Sequence, residues 1–357
     1  MSRFASQPLL LTTPDTRLVS WLLSVRDGIG EEPPGPDRRG GESKRLQRES
    51  RPYGGCVRQY ATERNERWVG FEHRPGDVVI STRSKCGTTW LQMIVAMLVF
   101  GEAQLPRPLS EISPWLDWDV EPIDVVRRRL AAQEHRRVIK THTPLDGLRL
   151  DDRVQYLVAG RRPLDVAVSQ YHHSRNIDRV RFAELSGRPA EQSPGEPFGE
   201  WVQGWIFDDW ESTGRLDSLS GLVHHVNDAW VTRPGIDVRL VHFDDLVADL
   251  DAQMRSLASW LGVEVDEAVW TSLVDAATFS SMGSRSEWTV PDRLGVLASR
   301  DLFFRGGRVG DGVRSATPEQ VSATRGRVAD LAIPDVARWL LRTESQAEGT
   351  AALSGDH

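Results

Sequence analysis

Beyond residue 65 or so, short aliphatic runs alternate with longer stretches whose apolar positions recur at helical spacing, a pattern that predicts a mostly parallel sheet covered by helices. The first unit is the clearest. Gly76-Asp77 leads into VVIST at 78–82, then the short polar stretch RSKCG, then TTWLQMIVAMLVF at 88–100, which reads as strand, tight loop and helix. Further strands are predicted at RVIKT (137–141), VQYLVA (154–159) and DVRLVHF (237–243). Pro163 suits the first turn of a helix running through LDVAVSQYHH, and LVADLDAQMRSLASWLG is predicted as one helix that stops at Gly262. The expectation is one α/β domain of three layers, with a central parallel sheet of four to five strands and helices on both faces. The order of the strands is not readable from the pattern.

The amino-terminal region breaks this pattern. Residues 31–51 hold three prolines, three glycines and eleven charges around a single apolar residue, Leu46, which is the composition of a linker. Residues 1–52 are therefore expected to be an extension, disordered in part, 53–345 the folded domain, and 346–357 a disordered tail. With 357 residues and 39% hydrophobic content, the chain can bury a large core. No apolar run approaches the ~18 residues that a membrane span requires. A net charge of −7 argues against a broad nucleic-acid footprint but leaves room for a local basic pocket. Only Cys56 and Cys86 are present, their spacing fits neither zinc nor a disulfide framework, and the start of the chain makes a poor secretory signal, so a cytoplasmic protein with reduced thiols is expected.

Among 44 basic residues, only Lys44, Lys85 and Lys140 are lysines. In a chain so rich in arginine, a retained lysine points to a need for a compact ammonium with rotatable donors. Lys44 sits in the charged linker. Lys85 sits in SKCGTTW, Ser84 to Trp90, at a predicted strand-to-helix junction, where unpaired amides and the helix dipole favour a phosphate. Gly87 admits close approach, and Thr88 and Thr89 add hydroxyls. The loop is not a Walker A sequence, because Lys85 precedes the only glycine.

TRSKCGTTW resembles the TYPKSGTTW phosphosulfate loop of the cytosolic-type sulfotransferase family, and four more stretches follow in that family's order. Lys140-Thr141-His142-Thr143-Pro144 resembles KTHxP, and Arg161 to Ser169 resembles RxxxDVxxS. Thr278 to Met282 resembles the segment that stacks on adenine, and Phe303 to Asp311 resembles FxRKGxxGDW. Together they span residues 70–330 or so. The resemblance implies a P-loop-like fold and transfer of a sulfuryl group from 3′-phosphoadenosine 5′-phosphosulfate (PAPS) to an acceptor. It implies His142 as general base, with Lys85 and Lys140 stabilising the transferring group and no metal. Nucleotide contacts would come from Lys85, Cys86, Gly87, Thr88, Thr89 and Trp90. Arg161, Ser169, Thr278, Phe279, Arg305, Gly306 and Gly307 would complete them, with Trp90 and Phe279 sandwiching the adenine.

Departures from that pattern bear on affinity. Cys86 stands for serine and, beside an anion-binding helix start, is a candidate reactive thiol. Gly306 stands for lysine, a charge that Arg308 could restore, and Gly312 stands for tryptophan. Downstream, GVRSATPEQV keeps only Thr317 of the short dimer motif, which leaves the oligomeric state open. Asp244-Asp245 reads as a helix N-cap. His172-His173 and His224-His225 lack ligand spacing for a metal and read as solvated or packed. The segments 110–123 and 198–210 carry five of thirteen tryptophans on loop-like sequence, and SPWLD with IKTHTPLDGL is similar to bacterial glycolipid-type sulfotransferases. A glycolipid or an apolar hydroxyl compound is the expected acceptor, with loops 174–200 and 284–300 gating the pocket. The competing readings are a non-catalytic nucleotide-binding relative and a nucleotide kinase.

Overall fold

The computed structural model describes residues 57–60, 62–190 and 195–342, so the predicted extension (1–52) and tail (346–357) lie outside the described residues. Four parallel strands form the central sheet: β1 (Val78–Ser81), β2 (Val138–Thr141), β3 (Gln155–Gly160) and β4 (Val238–His242), in the order β2-β1-β3-β4. Each lies within a residue or two of its predicted position. The register pairs Ile80 with Lys140 and with Leu157, so β1 and β2 end level and β3 runs on past them to Gly160.

Side chains alternate along each strand, so each face of the sheet seeds its own core. Val78, Ile80, Val138, Leu157 and Ala159 pack on one side with helix α1 (Thr88–Phe100). Val79, Ile139, Tyr156 and Val158 pack on the other with Val126, Leu130 and Ala229 from helices Ile123–Ala131 and Leu219–Thr232. Helix α1 is apolar nearly all round, and Leu91, Ile94 and Val95 are wholly buried, because it is enclosed between the sheet and the helices outside it.

The free edge of β2 is covered by a bridge. Lys140 donates its amide to the Pro114 carbonyl at 3.0 Å, and Leu116 donates to the Lys140 carbonyl at 3.3 Å, which carries Trp115 alongside Lys140. Because β2 lies on one side of β1 and β3 on the other, the chain reverses direction across the sheet at β1. The crevice above the strand ends at such a reversal is where open α/β sheets bind ligands.

Two helix expectations need correction. LVADLDAQMRSLASWLG is not one helix. It breaks into Phe243–Ala248 and Leu250–Leu261 because Asp249, extended at φ −151°, turns its carboxylate to accept from the Ala252 amide. Asp244-Asp245 is not the N-cap either. His242 caps the helix through Nδ1, and Asp244 instead receives the Arg162 guanidinium at 2.6 Å. The segment 198–210 is helical over Phe198–Phe207 and Trp210–Thr213 rather than loop-like.

Candidate active site

The loop from β1 into α1 sets the floor of the site. Lys85 adopts φ 68° and Gly87 φ 100°, both left-handed, so the chain folds back sharply before Thr88 opens the helix. A non-glycine residue in that region is sterically costly, and such conformations concentrate at functional sites. Gly87 is confined as well, since a Cβ there would lie 3.1 Å from the Phe243 ring. The Lys85 ammonium rests over the Phe303 ring at 4.4 Å, and burial followed by the charges of Arg161 and Arg305 pulls its pKa down to about 8.

The end of β2 supplies the second lysine and the histidine. Lys140 Nζ sits 3.7 Å from the centre of the Trp115 ring, and burial with the neighbouring Lys85 lowers its pKa to about 7. Asp117 pulls the other way from below the strand end, where its carboxylate accepts from Trp68 Nε1 at 3.0 Å, Thr143 Oγ1 at 2.7 Å and Thr141 Oγ1. The Nδ1 of His142 lies 2.5 Å from the Thr82 carbonyl. A carbonyl only accepts, so Nδ1 carries the hydrogen and Nε2 keeps its lone pair. Burial, then Lys140 and Arg83, push the His142 pKa well below the usual range, so the ring is neutral and able to accept a proton at physiological pH.

Arg161, just beyond β3, is 8% exposed and lies face-on to Phe243 at 4.1 Å. It donates to the carbonyls of Lys85 and Arg308 at 3.2 and 3.3 Å, while its buried Nε has no hydrogen-bond partner. It thereby ties the β1–α1 loop to the loop at 305–312. That second loop is anchored by Asp165, whose two carboxylate oxygens accept from the amides of Gly310 and Gly312 at 2.8 and 2.6 Å. Gly312 lies flush on the helix start, where a Cβ would come within 2.2 Å of the Leu164 carbonyl carbon, so the absent tryptophan has no room at this position. Gly307 covers the Phe279 ring in the same way, at 2.7 Å.

One cavity brings together Lys85, Gly87, Thr88, Thr89, Trp90, Lys140 and His142 with Arg161, Ser169, Phe279, Arg305, Gly306 and Gly307. Cys86 and Thr278 are not among its walls. Cys86 turns into the core at 1% exposure, and burial pushes its thiol up to about 12, so the expected reactivity of this cysteine is not supported. Thr278 caps the helix Phe279–Ser284, accepting from the Ser281 amide at 3.3 Å. Arg308 is likewise not among the walls and meets Arg161 through its carbonyl.

The other half of the cavity is apolar. Trp115 and Trp118 stack at 4.8 Å and 12°, and Trp115 meets the His142 ring edge-on at 4.6 Å. Ile177, Met282, Val296 and Leu297 complete that wall, so both loops expected to gate the pocket do line it. Of the five tryptophans singled out, only these two join the site. Trp205 is buried against Gln170, and Trp210 stacks on His224. The sequence reading missed Phe243, whose partner Arg161 lies 82 positions away. It read His173 as solvated or packed and did not place it in the cavity, whose wall it joins, packed on Phe303, with its pKa held well below normal by burial and both lysines.

A parallel-sheet cavity with a phosphate-type loop, two buried lysines and a buried histidine is an arrangement suited to group transfer from an anionic donor. Residues 75–325 match the model of the sulfotransferase domain. The chain is 38% identical over 299 residues to a glycolipid sulfotransferase of Mycobacterium bovis, an alignment covering 77% of this chain and 90% of that protein. It is 26% identical over 250 residues to rabbit sulfotransferase 1C2, covering 68% of this chain and 78% of that one. Among solved structures, mouse sulfotransferase SULT7A1 complexed with PAP aligns at TM-score 0.60 and 18% identity, over 81% of this chain and 95% of that one. Retinol dehydratase in a complex with retinol and PAP aligns at TM-score 0.58 and 21% identity, over 73% and 82%. The chain belongs to the sulfotransferase family, and it is a sulfotransferase enzyme with the α/β fold of that family.

Proposed function

We propose that this enzyme transfers a sulfuryl group from PAPS to a hydroxyl of a glycolipid. The observation that carries the reading is the placement of Lys85, Lys140 and His142 in one cavity, with the histidine tautomer fixed by the Thr82 carbonyl. The donor class is supported by the solved relatives bound to PAP and by a fit within this chain. Three cations, Lys85, Arg161 and Arg305, converge on a cradle built from the left-handed loop and Gly307. The acceptor class is supported by the mycobacterial glycolipid sulfotransferases and by the stacked rings of Trp115 and Trp118, which make part of the cavity wall apolar.

Roles follow from position. PAPS, when bound, supplies the activated sulfuryl group. His142 Nε2 takes the proton from the acceptor hydroxyl. Lys85 neutralises the charge that develops on the nucleotide phosphate, and Lys140 the charge on the sulfuryl oxygens. Arg161, Ser169 and Arg305 hold the 3′-phosphate, and Trp90 and Phe279 flank the base. Trp90 is oriented for this by its indole bond to the Ala277 carbonyl at 2.8 Å. The described residues contain no helix long and apolar enough to cross a membrane, and on cysteine usage we place the enzyme in the cytoplasm.

The test is transfer of radiolabelled sulfate from PAPS to a panel of glycolipids, sterols and phenols by wild type and His142→Ala. The expected result is a labelled glycolipid with wild type and a loss of about 10²–10⁴ in rate with the variant. Labelling of phenols alone would replace the acceptor reading, and transfer undiminished in the variant would remove the base.

A further inference from the structure

His142 is tied to the β1–α1 loop at two points. Its ring donates to the Thr82 carbonyl at 2.5 Å, and its own main-chain carbonyl accepts from Arg83 Nη1 at 2.6 Å. Adjacent residues of one loop therefore hold both ends of the same histidine. The Arg83 side chain is 2% exposed, and a guanidinium that deep requires counter-charge. Glu63 approaches Nη1 at 3.1 Å, and Asp217 accepts from Nη2 at 2.6 Å. Asp217 is steadied in turn by Gln170 at 3.0 Å, and Gln170 accepts from the Trp205 indole at 2.6 Å. Where TYPKSGTTW has tyrosine, this chain has Arg83, so neither the charge nor the clamp is part of the phosphosulfate-loop pattern.

We propose that Arg83, clamped between Glu63 and Asp217, is the positioning residue of the general base, fixing the His142 main chain and placing a fixed positive charge near its imidazole. This rests on the reading of His142 as the base. The charged and titratable groups that face the imidazole come from three elements: Lys140 from β2, Arg83 from the loop after β1, and His225 from helix Leu219–Thr232. All three disfavour protonation, and the Thr82 carbonyl opposes them. Lys140 carries a depressed pKa of about 7, so its charge changes with pH and with a bound anion, and His225 is held neutral to about 3. Arg83 alone among them stays charged throughout, because its two carboxylates hold its pKa above the usual value against the burial.

The test avoids turnover. Arg83→Met by itself leaves Glu63, whose carboxyl burial already pushes up to about 7, without its partner, so the variant is the pair Glu63→Gln/Arg83→Met, which removes both members of the buried pair. Histidine side chains are followed by NMR against pH, with His142 assigned from His142→Gln. In wild type the His142 ring is expected to stay neutral to well below pH 6.5. In the double variant its titration rises by about one pH unit, with adenosine 3′,5′-bisphosphate affinity within about twofold of wild type. A titration that does not move overturns the proposal. Should the double variant fail to fold, Arg83→Lys keeps the charge but cannot span two carboxylates and the carbonyl. Exchange of the His142 Nδ1 proton then accelerates about tenfold or more, and unchanged exchange overturns the proposal. Failure here leaves the base itself standing, since that reading is decided by transfer in His142→Ala.

Discussion

The two halves of the cavity are built by different means. The half proposed for the donor is made from short contiguous stretches of chain, with left-handed backbone at Lys85, Gly87 and Gly307 and cations at Lys85, Arg161 and Arg305. The half proposed for the acceptor is assembled from side chains scattered over Trp115, Trp118, His173, Ile177, Met282 and Leu297. A donor phosphate is recognised by amides and fixed charge, which short motifs can encode. An apolar acceptor is recognised by shape, which the tertiary fold alone produces. His142 and Lys140 stand between the halves, with Trp115 against both.

The sharpest way to break this division is to remove a donor-side charge. Lys85→Ala is expected to cost about 10³ or more in kcat while leaving acceptor binding unchanged, as read by initial rates against acceptor concentration. Lys85→Arg should recover little, because a planar fork cannot follow a moving charge as an ammonium does. Next in size, Gly312→Ala drives a methyl into the Leu164–Asp165 backbone and shifts the loop that Asp165 holds. Affinity for adenosine 3′,5′-bisphosphate should fall about tenfold to a hundredfold by calorimetry, the equivalent of roughly 1.4–2.8 kcal/mol. On the acceptor side, Trp118→Ala should raise the acceptor KM about tenfold through lost stacking, with bisphosphate affinity unaltered. A donor defect from that change would dissolve the division between the halves.

The lysines and the buried histidines respond to pH in opposite directions. Lys85 and Lys140 sit at about 8 and 7, below the ordinary lysine value, so a bound anion that restores their charge must draw protons from solution. Bisphosphate binding, which engages Lys85, is expected to take up protons as pH rises through about 8, seen as a buffer-dependent enthalpy, and to weaken above it. The buried histidines act on stability with their own sign. His142, His173 and His242 lie well below 6.5 in the fold and His225 at about 3, so below pH 6.5 the unfolded chain binds more protons than the native one. Stability present above pH 6.5 is therefore lost as pH falls, by about 1.4 kcal/mol per pH unit for each histidine held neutral. Urea midpoints at pH 7 and pH 5.5 measure it. The smallest effect expected is at Cys86. Its thiol, buried and pushed up to about 12, should not react with a thiol reagent at pH 8 until the protein unfolds.

What could be read from the sequence follows the same division. The strands, the loop at Ser84–Trp90 and the residues Lys140, His142 and Arg161 were legible because each rests on local pattern or on spacing within one motif. The break at Asp249 was not, since helix propensity continues through it and only the capping geometry interrupts the pattern. Nor was the partnership of Arg161 with Phe243, or of Asp165 with Gly310 and Gly312, because sheet topology brings those residues together across 82 and more than 140 positions. Trp115 and Trp118 were visible only as two of five candidates. The edge bridge along β2 selects them, and the helix Phe198–Phe207 removes Trp201 and Trp205 from the cavity wall.

The central claim is that the donor half is made for a nucleotide carrying a 3′-phosphate. Calorimetric titration of adenosine 3′,5′-bisphosphate, with ATP as the comparison, tests it most directly. The account predicts binding in the micromolar range for the bisphosphate, a loss of about tenfold or more with Arg161→Met, and no comparable binding of ATP. Equal affinity for the two nucleotides, or none for either, would contradict it.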